Sequence, residues 1–325
     1  MSTIEPQTVP EGPPTPSDET PESQPVTGWG DRIFSSAAFG AGLLILLVLA
    51  AVFVFLAVQG APGTHQAASV YGPYATNFWS YAGKLLFGTA LAAVLAMLIA
   101  VPFALGLALF ISHYAPRRLA VPVAYVIDLL AAVPSVVFGL WGGRALTHAS
   151  LPVQHWLNQH LGWFPLFGGT PSSTGHTVFI AAVVLSIMVI PITTAIAREV
   201  FQQTPKLLEE AALGLGATRW EMIKYAVLPH SRSGVVAGAM LGLGRALGET
   251  MAVAMVLNGN PLVSIRILTT DSPATIASNI ANEYKNEDPH MQSVLIATGL
   301  VLFVFTFLVN FAARTIVTRA ERRLA

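Results

Sequence analysis

Six long apolar stretches separated by polar loops dominate the chain. They run at about 36–59, 84–111, 120–141, 177–197, 234–257 and 291–313. A bilayer core takes roughly 20 apolar residues per helix. Each stretch therefore predicts a membrane-spanning helix, and together they predict an all-α polytopic membrane protein with six transmembrane helices. Pro102 in the second stretch predicts a kink or tilt. Pro122 and Pro134 interrupt the third, where neighbouring helices can satisfy the backbone groups they free.

Composition agrees with the pattern. The chain is 54% hydrophobic and 10% charged, against roughly 25% charged in a soluble domain. It has no cysteine, which excludes disulfides, thiolate catalysis and Cys-ligated metal. The first 30 residues carry Glu5, Glu11, Asp18, Glu19 and Glu22 and no base, in a Pro-, Ser- and Thr-rich context. Such a stretch cannot bury an apolar core and reads as a disordered cytoplasmic tail. It lacks the basic n-region of a signal peptide, so the first apolar run reads as a retained anchor. Residues 31–325 read as the membrane domain.

Charge sets the orientation. With the N-terminus inside, twelve Lys and Arg fall in inner segments and three (Arg144, Arg266, Lys285) in outer ones. Basic residues favour the cytoplasmic side, so both termini and the polar segment 204–230 are expected there. The long loop around 142–176 is then external. Its Trp156, Trp163 and Phe164 suit an aromatic belt or a docking partner, the belt being the plainer reading.

The segment 204–230 predicts an elbow. Pro205 suits a helix start, Gly214 and Gly216 end that helix, and Thr218 with Glu221 has capping-box spacing for a second short helix. Pro229 is expected to stop the second one. The run from Glu210 to Pro229 resembles the EAA loop of ABC-transporter permeases, on Glu210, Ala211, Ala212, Gly216, Leu228 and Pro229; Ala226 stands where a larger aliphatic residue is usual. That resemblance implies coupling helices that dock on an ATP-hydrolysing partner. The alternative is an ordinary cytoplasmic loop.

The fifth stretch contains Arg245 and Glu249, four residues apart. Counted from Gly234, Arg245 lies roughly 16 Å deep, where a charge costs on the order of 2.5–3.5 kcal/mol on insertion scales. On a continuous helix the two side chains share a face, close to a stripe of Gly234, Gly238 and Gly242 that admits a neighbouring helix. Two readings stand: an ion pair that locks helices together, or an anion gate in which the guanidinium fork takes phosphate oxygens and Glu249 holds Arg245 when no anion is present.

The sequence Gly244–Val253 resembles the signature of Pst-type phosphate permeases. Met251-Ala252-Val253 and Leu130–Gly142 favour the PstC branch over PstA. The resemblance runs from about Trp79 to the C-terminus and leaves out the acidic tail. It implies a MetI-like type I ABC importer permease fold. It also implies a PstA-like second permease, a PstB-like ATPase dimer carrying ATP and Mg, and a PstS-like phosphate-binding protein. Arg245 and Glu249, with Thr250 and Ser135, are then the candidate substrate path, and no cofactor or metal is expected on this chain. Rival readings are a permease for sulfate or molybdate, or a non-transporting sensor of phosphate.

Other polar positions have plainer readings. Asp128 either serves the translocation path or, the plainer reading, pairs with an Arg at a helix end, such as Arg117, or with backbone. Asn310 is expected to make an interhelical hydrogen bond, and Lys84 to snorkel. His148, His155, His160 and His176 match no zinc spacing. The chain has no phosphate-loop motif and no basic–aromatic pattern for nucleic acid, so neither ATP binding by that route nor nucleic-acid recognition is expected of it.

Overall fold

The computed structural model describes residues 29–286 and 288–322. The expected acidic tail lies outside the described residues except for Trp29 and Gly30, which open the first helix. The chain divides into two compact units, residues 1–51 and 52–325. In the first, the described residues form the initial part of α1 (Trp29–Gly60), an uninterrupted apolar helix from about Ser36.

The second unit begins with the rest of α1. Gly60 and Gly63 meet the backbone of Ala297 and Ser293 so closely that a Cβ at either would overlap it. The 3₁₀ turns that follow lead to α2 (Phe78–Leu109), capped by Asn77, whose side chain accepts from the Ser80 N–H. Lys84 donates to the Tyr74 carbonyl, which lies ahead of the helix start, so its ammonium reaches back past the N-terminal end of α2 and is held there by backbone. The buried face of α2 is largely alanine, from Ala82 to Ala108. Small residues let the long α6 (Val178–Gln202) approach closely, and this pair forms the centre of the unit.

Between α2 and α6 lie α3 (Arg117–Ala131), α4 (Ser135–Trp141) and α5 (Thr147–Leu161). The stretch expected as one span at 120–141 is not one helix. It breaks at residues 132–134, and the axes on either side differ by 91°. Pro134 has no N–H to continue α3 and disfavours helical geometry at Val133. The loop expected at 142–176 also carries a helix, α5.

After α6 come α7 (Lys206–Gly214), α8 (Arg219–Met222), α9 (Leu228–Gly248) and α10 (Met251–Val256). The stretch expected as a fifth span is thus broken at Glu249 and Thr250. The segment 257–275 folds back over the ends of α6 and α10, with Ile267 and Leu268 in the core cluster of Val178, Leu185 and Val256. It includes a parallel pair, β1 (Gly259–Asn260) with β2 (Ser272–Pro273). Then α11 (Ile276–Glu283) and α12 (Pro289–Arg322) complete the described chain. Among the described residues, four helices are long and apolar enough to cross a membrane alone, and five if the bent α3–α4 segment is one span.

The glycine stripe of α9 faces α6. A Cβ on Gly234 would lie 2.5 Å from Val200, on Gly238 3.0 Å from Ile196, and on Gly242 2.7 Å from Val189 and 2.8 Å from Thr193 Oγ1. Gly242→Leu is expected to destabilise the fold by roughly 3 kcal/mol, the upper range for overpacking. A thermal unfolding scan of the purified complex checks this. Gly244→Ala is the control, because a Cβ there meets nothing within 4 Å.

Candidate functional site

Two features carry chemistry: the elbow and a cavity beside α9 that contains a guanidinium in mainly apolar walls. In the elbow, α7 starts after Pro205 and ends at Gly214. Gly216 has φ +89°, a conformation that favours glycine. Its N–H donates to Leu213 O (2.9 Å) and the Ala217 N–H to Ala212 O (3.2 Å), the paired bonds of a Schellman end. Thr218 and Glu221 form the expected capping box around α8. Thr218 Oγ1 accepts from the Glu221 N–H, and the Thr218 N–H donates to Glu221 Oε2 at 2.8 Å.

Those bonds from the Thr218 backbone N–H and hydroxyl hold the Glu221 carboxyl below its usual range. The cap's stability is therefore present above the ordinary carboxylate pKa and is lost as pH falls through the lowered value. Thr218→Ala is expected to cost about 1 kcal/mol of local stability, seen as faster amide exchange at 219–222.

Pro229 does not stop the second short helix. From α8 the chain passes through a π-turn, Ile223–Val227, straight into α9, with the Leu228 N–H donating to Ile223 O. A proline ring clashes with the carbonyl four residues back; the wider turn moves that carbonyl aside.

The six EAA-like positions divide by environment. Glu210, Ala211, Gly216 and Pro229 are exposed. Ala212 and Leu228 pack against a cluster of Ala108, Ala197, Phe201, Met222, Ile223 and Val227. The ends of α2 and α6, the elbow and the start of α9 thus share one core. A further tie was not foreseen from sequence: His113 Nε2, in the turn after α2, lies 3.6 Å from Glu209 Oε1 on α7. Its Nδ1 lies 2.7 Å from Ser112 Oγ. The outward side of the elbow presents Leu207, Leu215 (91% exposed) and Trp220 (55% exposed), large apolar side chains left uncovered by the rest of the chain.

The second feature is a cavity of about 660 Å³ lined by Ile192, Ala237, Met240, Leu241, Gly244, Arg245 and Asn310. It lies among α6, α9 and α12. Arg245 is half-buried, and its Nε is buried without a hydrogen-bond partner. Among the described residues the one other such side-chain atom is Thr193 Oγ1 on α6. An orphaned buried donor asks for a ligand, water or another chain.

Arg245 and Glu249 do not form the expected ion pair. No bridge between them occurs among the described residues. The reason is the break: α9 ends at Gly248, and Glu249 is extended (φ −68°, ψ 121°), so the i, i+4 relation is lost. Glu249 Oε1 instead accepts the Ala252 N–H at 3.1 Å, and Thr250 Oγ1 donates to Gly248 O. Ser135 opens α4 just after the other break. The two broken segments meet: a Cβ on Gly139 would lie 2.8 Å from Ala252 Cα, and one on Gly143 2.7 Å from the Met255 carbonyl oxygen.

Asp128 pairs with an Arg, as expected, but the partner is Arg198 Nη2 on α6 at 3.6 Å and not Arg117. Asn310 does not make the expected interhelical bond. It is exposed, lines the cavity and has no hydrogen bond among the described residues.

Comparison with known proteins adds to this geometry. A family described as "Binding-protein-dependent transport system inner membrane component" matches residues 100–323. The phosphate transport system permease protein PstC 2 of Mycobacterium tuberculosis is 44% identical over 297 residues, 88% of this chain and 91% of that protein. The phosphate transport system permease protein PstC of Mycobacterium leprae is 40% identical over 301 residues, 90% of this chain and 94% of that one. That of Haemophilus influenzae is 35% identical over 307 residues, 90% and 95% of the two chains. Among solved structures, a bacterial ABC transporter involved in the import of the acidic polysaccharide alginate aligns with TM-score 0.58 at 16% identity. It covers 89% of this chain and 96% of that one, a likeness of fold.

Proposed function

The chain belongs to the family of binding-protein-dependent transport system inner membrane components, and from that premise we propose that it is the permease subunit of an ATP-driven phosphate importer. The observation that carries the reading is the near full-length similarity, at 35–44% identity, to phosphate transport permease proteins. The half-buried guanidinium of Arg245, with an unpaired Nε in a cavity, supports it.

On this reading both termini and the elbow face the cytoplasm. A PstB-like ATPase dimer, holding ATP and Mg, grips the exposed side of the elbow at Glu210, Ala211, Leu215 and Trp220. Closure of that dimer moves α7 and α8. The shared core at Ala212 and Leu228, and the His113–Glu209 contact, pass the motion to α2, α6 and α9. Breaks at residues 132–134 and 249–250 let α4 and α10 shift together, since their glycine contacts interlock them. The path alternates between faces as it does so. It is shared with a PstA-like permease, and a PstS-like protein delivers phosphate outside. Arg245 receives the anion through paired charge-assisted hydrogen bonds, and Glu249, Thr250 and Ser135 border the path at the two breaks.

The test is reconstitution of the complex in vesicles with the binding protein and ATP. Accumulation of labelled phosphate that stops without ATP is the expected result. ATP-driven accumulation of sulfate or molybdate in place of phosphate would replace the substrate. No accumulation of any of these would replace the transport reading with the sensor one.

A further inference from the structure

We infer that Asn310 is a second anion ligand, lining the same cavity as Arg245, and that it selects hydrogen-bearing oxyanions such as phosphate over sulfate. The inference rests on the phosphate-import reading and names a determinant of that site.

Asn310 lies inside the apolar stretch 291–313, on α12. It lines the same cavity as Arg245, is exposed, and has no hydrogen bond among the described residues. Within a membrane segment a bare carboxamide is tolerated only where water, a ligand or another polar group meets it. The cavity supplies the reason for a ligand. Its two polar side chains are a guanidinium with an unpartnered Nε and this amide, and they come from two packed helices, α9 and α12, that border it together.

The chemistry of the pair is complementary to one ion. The guanidinium only donates, so it takes any oxyanion and cannot tell one from another by hydrogen bonding. A carboxamide both donates and accepts. Near neutral pH, inorganic phosphate keeps at least one P–OH, whereas sulfate has none. The Asn310 Nδ2 donates to a phosphate oxygen and Oδ1 accepts the P–OH proton. With sulfate, Oδ1 would face an oxygen with no proton between them, and a site that hydrogen-bonds a hydroxyl penalises an analogue lacking it.

The chain is free of cysteine, which gives a direct probe. Leu241→Cys puts one thiol in this chain, on the cavity wall. In the assembled, detergent-solubilised complex a hydrophilic methanethiosulfonate should label it, and inorganic phosphate should protect it at lower concentration than sulfate. Adding Asn310→Ala should raise the half-protecting phosphate concentration about tenfold, the size of one hydrogen bond to a charged group, and should not raise that of sulfate, whose penalty it removes. Adding Arg245→Ala should raise both.

Phosphate protection untouched by Asn310→Ala overturns the inference, as does a thiol that no hydrophilic reagent reaches. Loss of the second permease on purification of the Asn310→Ala complex also overturns it, because Asn310 would then be a contact between chains. Wild-type vesicles that import no phosphate would overturn the functional reading first and this inference with it. The uptake control therefore separates the two failures.

Discussion

Arg245→Ala is expected to reduce ATP-driven phosphate uptake by roughly a hundredfold or more while leaving the complex assembled. Hydrogen bonds to charged groups are worth about 1.5–3 kcal/mol each, and a guanidinium fork makes two with one oxyanion. Losing both removes about 3 kcal/mol or more, which sets the scale. Assembly should survive because Arg245 makes no hydrogen bond or ion pair among the described residues. Its Nε is unpartnered, and it has no bridge to Glu249 among the described residues. The helix-locking alternative needs that bridge, and so does a gate in which Glu249 holds the resting Arg245; an anion site at the guanidinium does not. Arg245→Lys should recover part of the activity, since the charge remains but the planar fork does not. Uptake assays with copurification of the other subunits decide the matter. A complex that falls apart would restore the structural reading, and normal uptake would remove Arg245 from the path.

Glu249 behaves differently in this account. Its carboxylate caps α10 through the Ala252 N–H. A carboxamide can accept that same bond, so Glu249→Gln should be milder than Glu249→Ala, which would release the start of α10. A pairing role would make Glu249→Gln and Glu249→Ala alike, since both remove the charge.

What the sequence made legible follows from the range of the forces involved. The elbow is determined by residues three to five apart. Thr218 and Glu221 satisfy each other's backbone groups, and Gly216 takes the positive φ that ends α7. Such a device can be read without knowing anything else about the chain. The break after Gly248 could not be read in the same way. No proline marks it, and the segment 234–257 has apolar composition enough for one helix. What accompanies the break is distant packing, with Ala252 pressed against Gly139 of another segment. Treating the stretch as continuous put Arg245 and Glu249 on one face, and the break separates them. Pro134 did announce a disturbance, but the 91° turn depends on where α4 can pack. His113 and Glu209 are far apart along the chain, and neither has a local signature. Asn310 was visible as a polar residue in an apolar run, but its sharing a cavity with Arg245 is a tertiary fact. The family was legible early because its signatures are local strings, which composition and periodicity could not have supplied.

Glu210→Arg is expected to uncouple the motor from the path. ATP hydrolysis by the assembled complex should continue while phosphate uptake per ATP falls at least tenfold, about 1.4 kcal/mol of lost coupling. The argument turns on which way adjacent glutamates face. Glu209 is half-buried and lies 3.6 Å from His113, so it belongs to the root of the elbow. Glu210 is exposed, and it has no hydrogen bond or ion pair among the described residues. Reversing its charge should leave α7 folded and change only what meets its outer surface. Glu209→Gln should act from the inside, by weakening the tie between α7 and the end of α2, and should leave the grip on the ATPase in place. The two variants therefore separate gripping from transmission: Glu210→Arg should weaken copurification of the ATPase at low salt, a defect that shrinks at high salt, and Glu209→Gln should not. Salt matters because exposed charge contacts are screened. Unchanged uptake per ATP in Glu210→Arg would mean that the motor holds another surface, and the exposed Leu215 and Trp220 would then need a different partner.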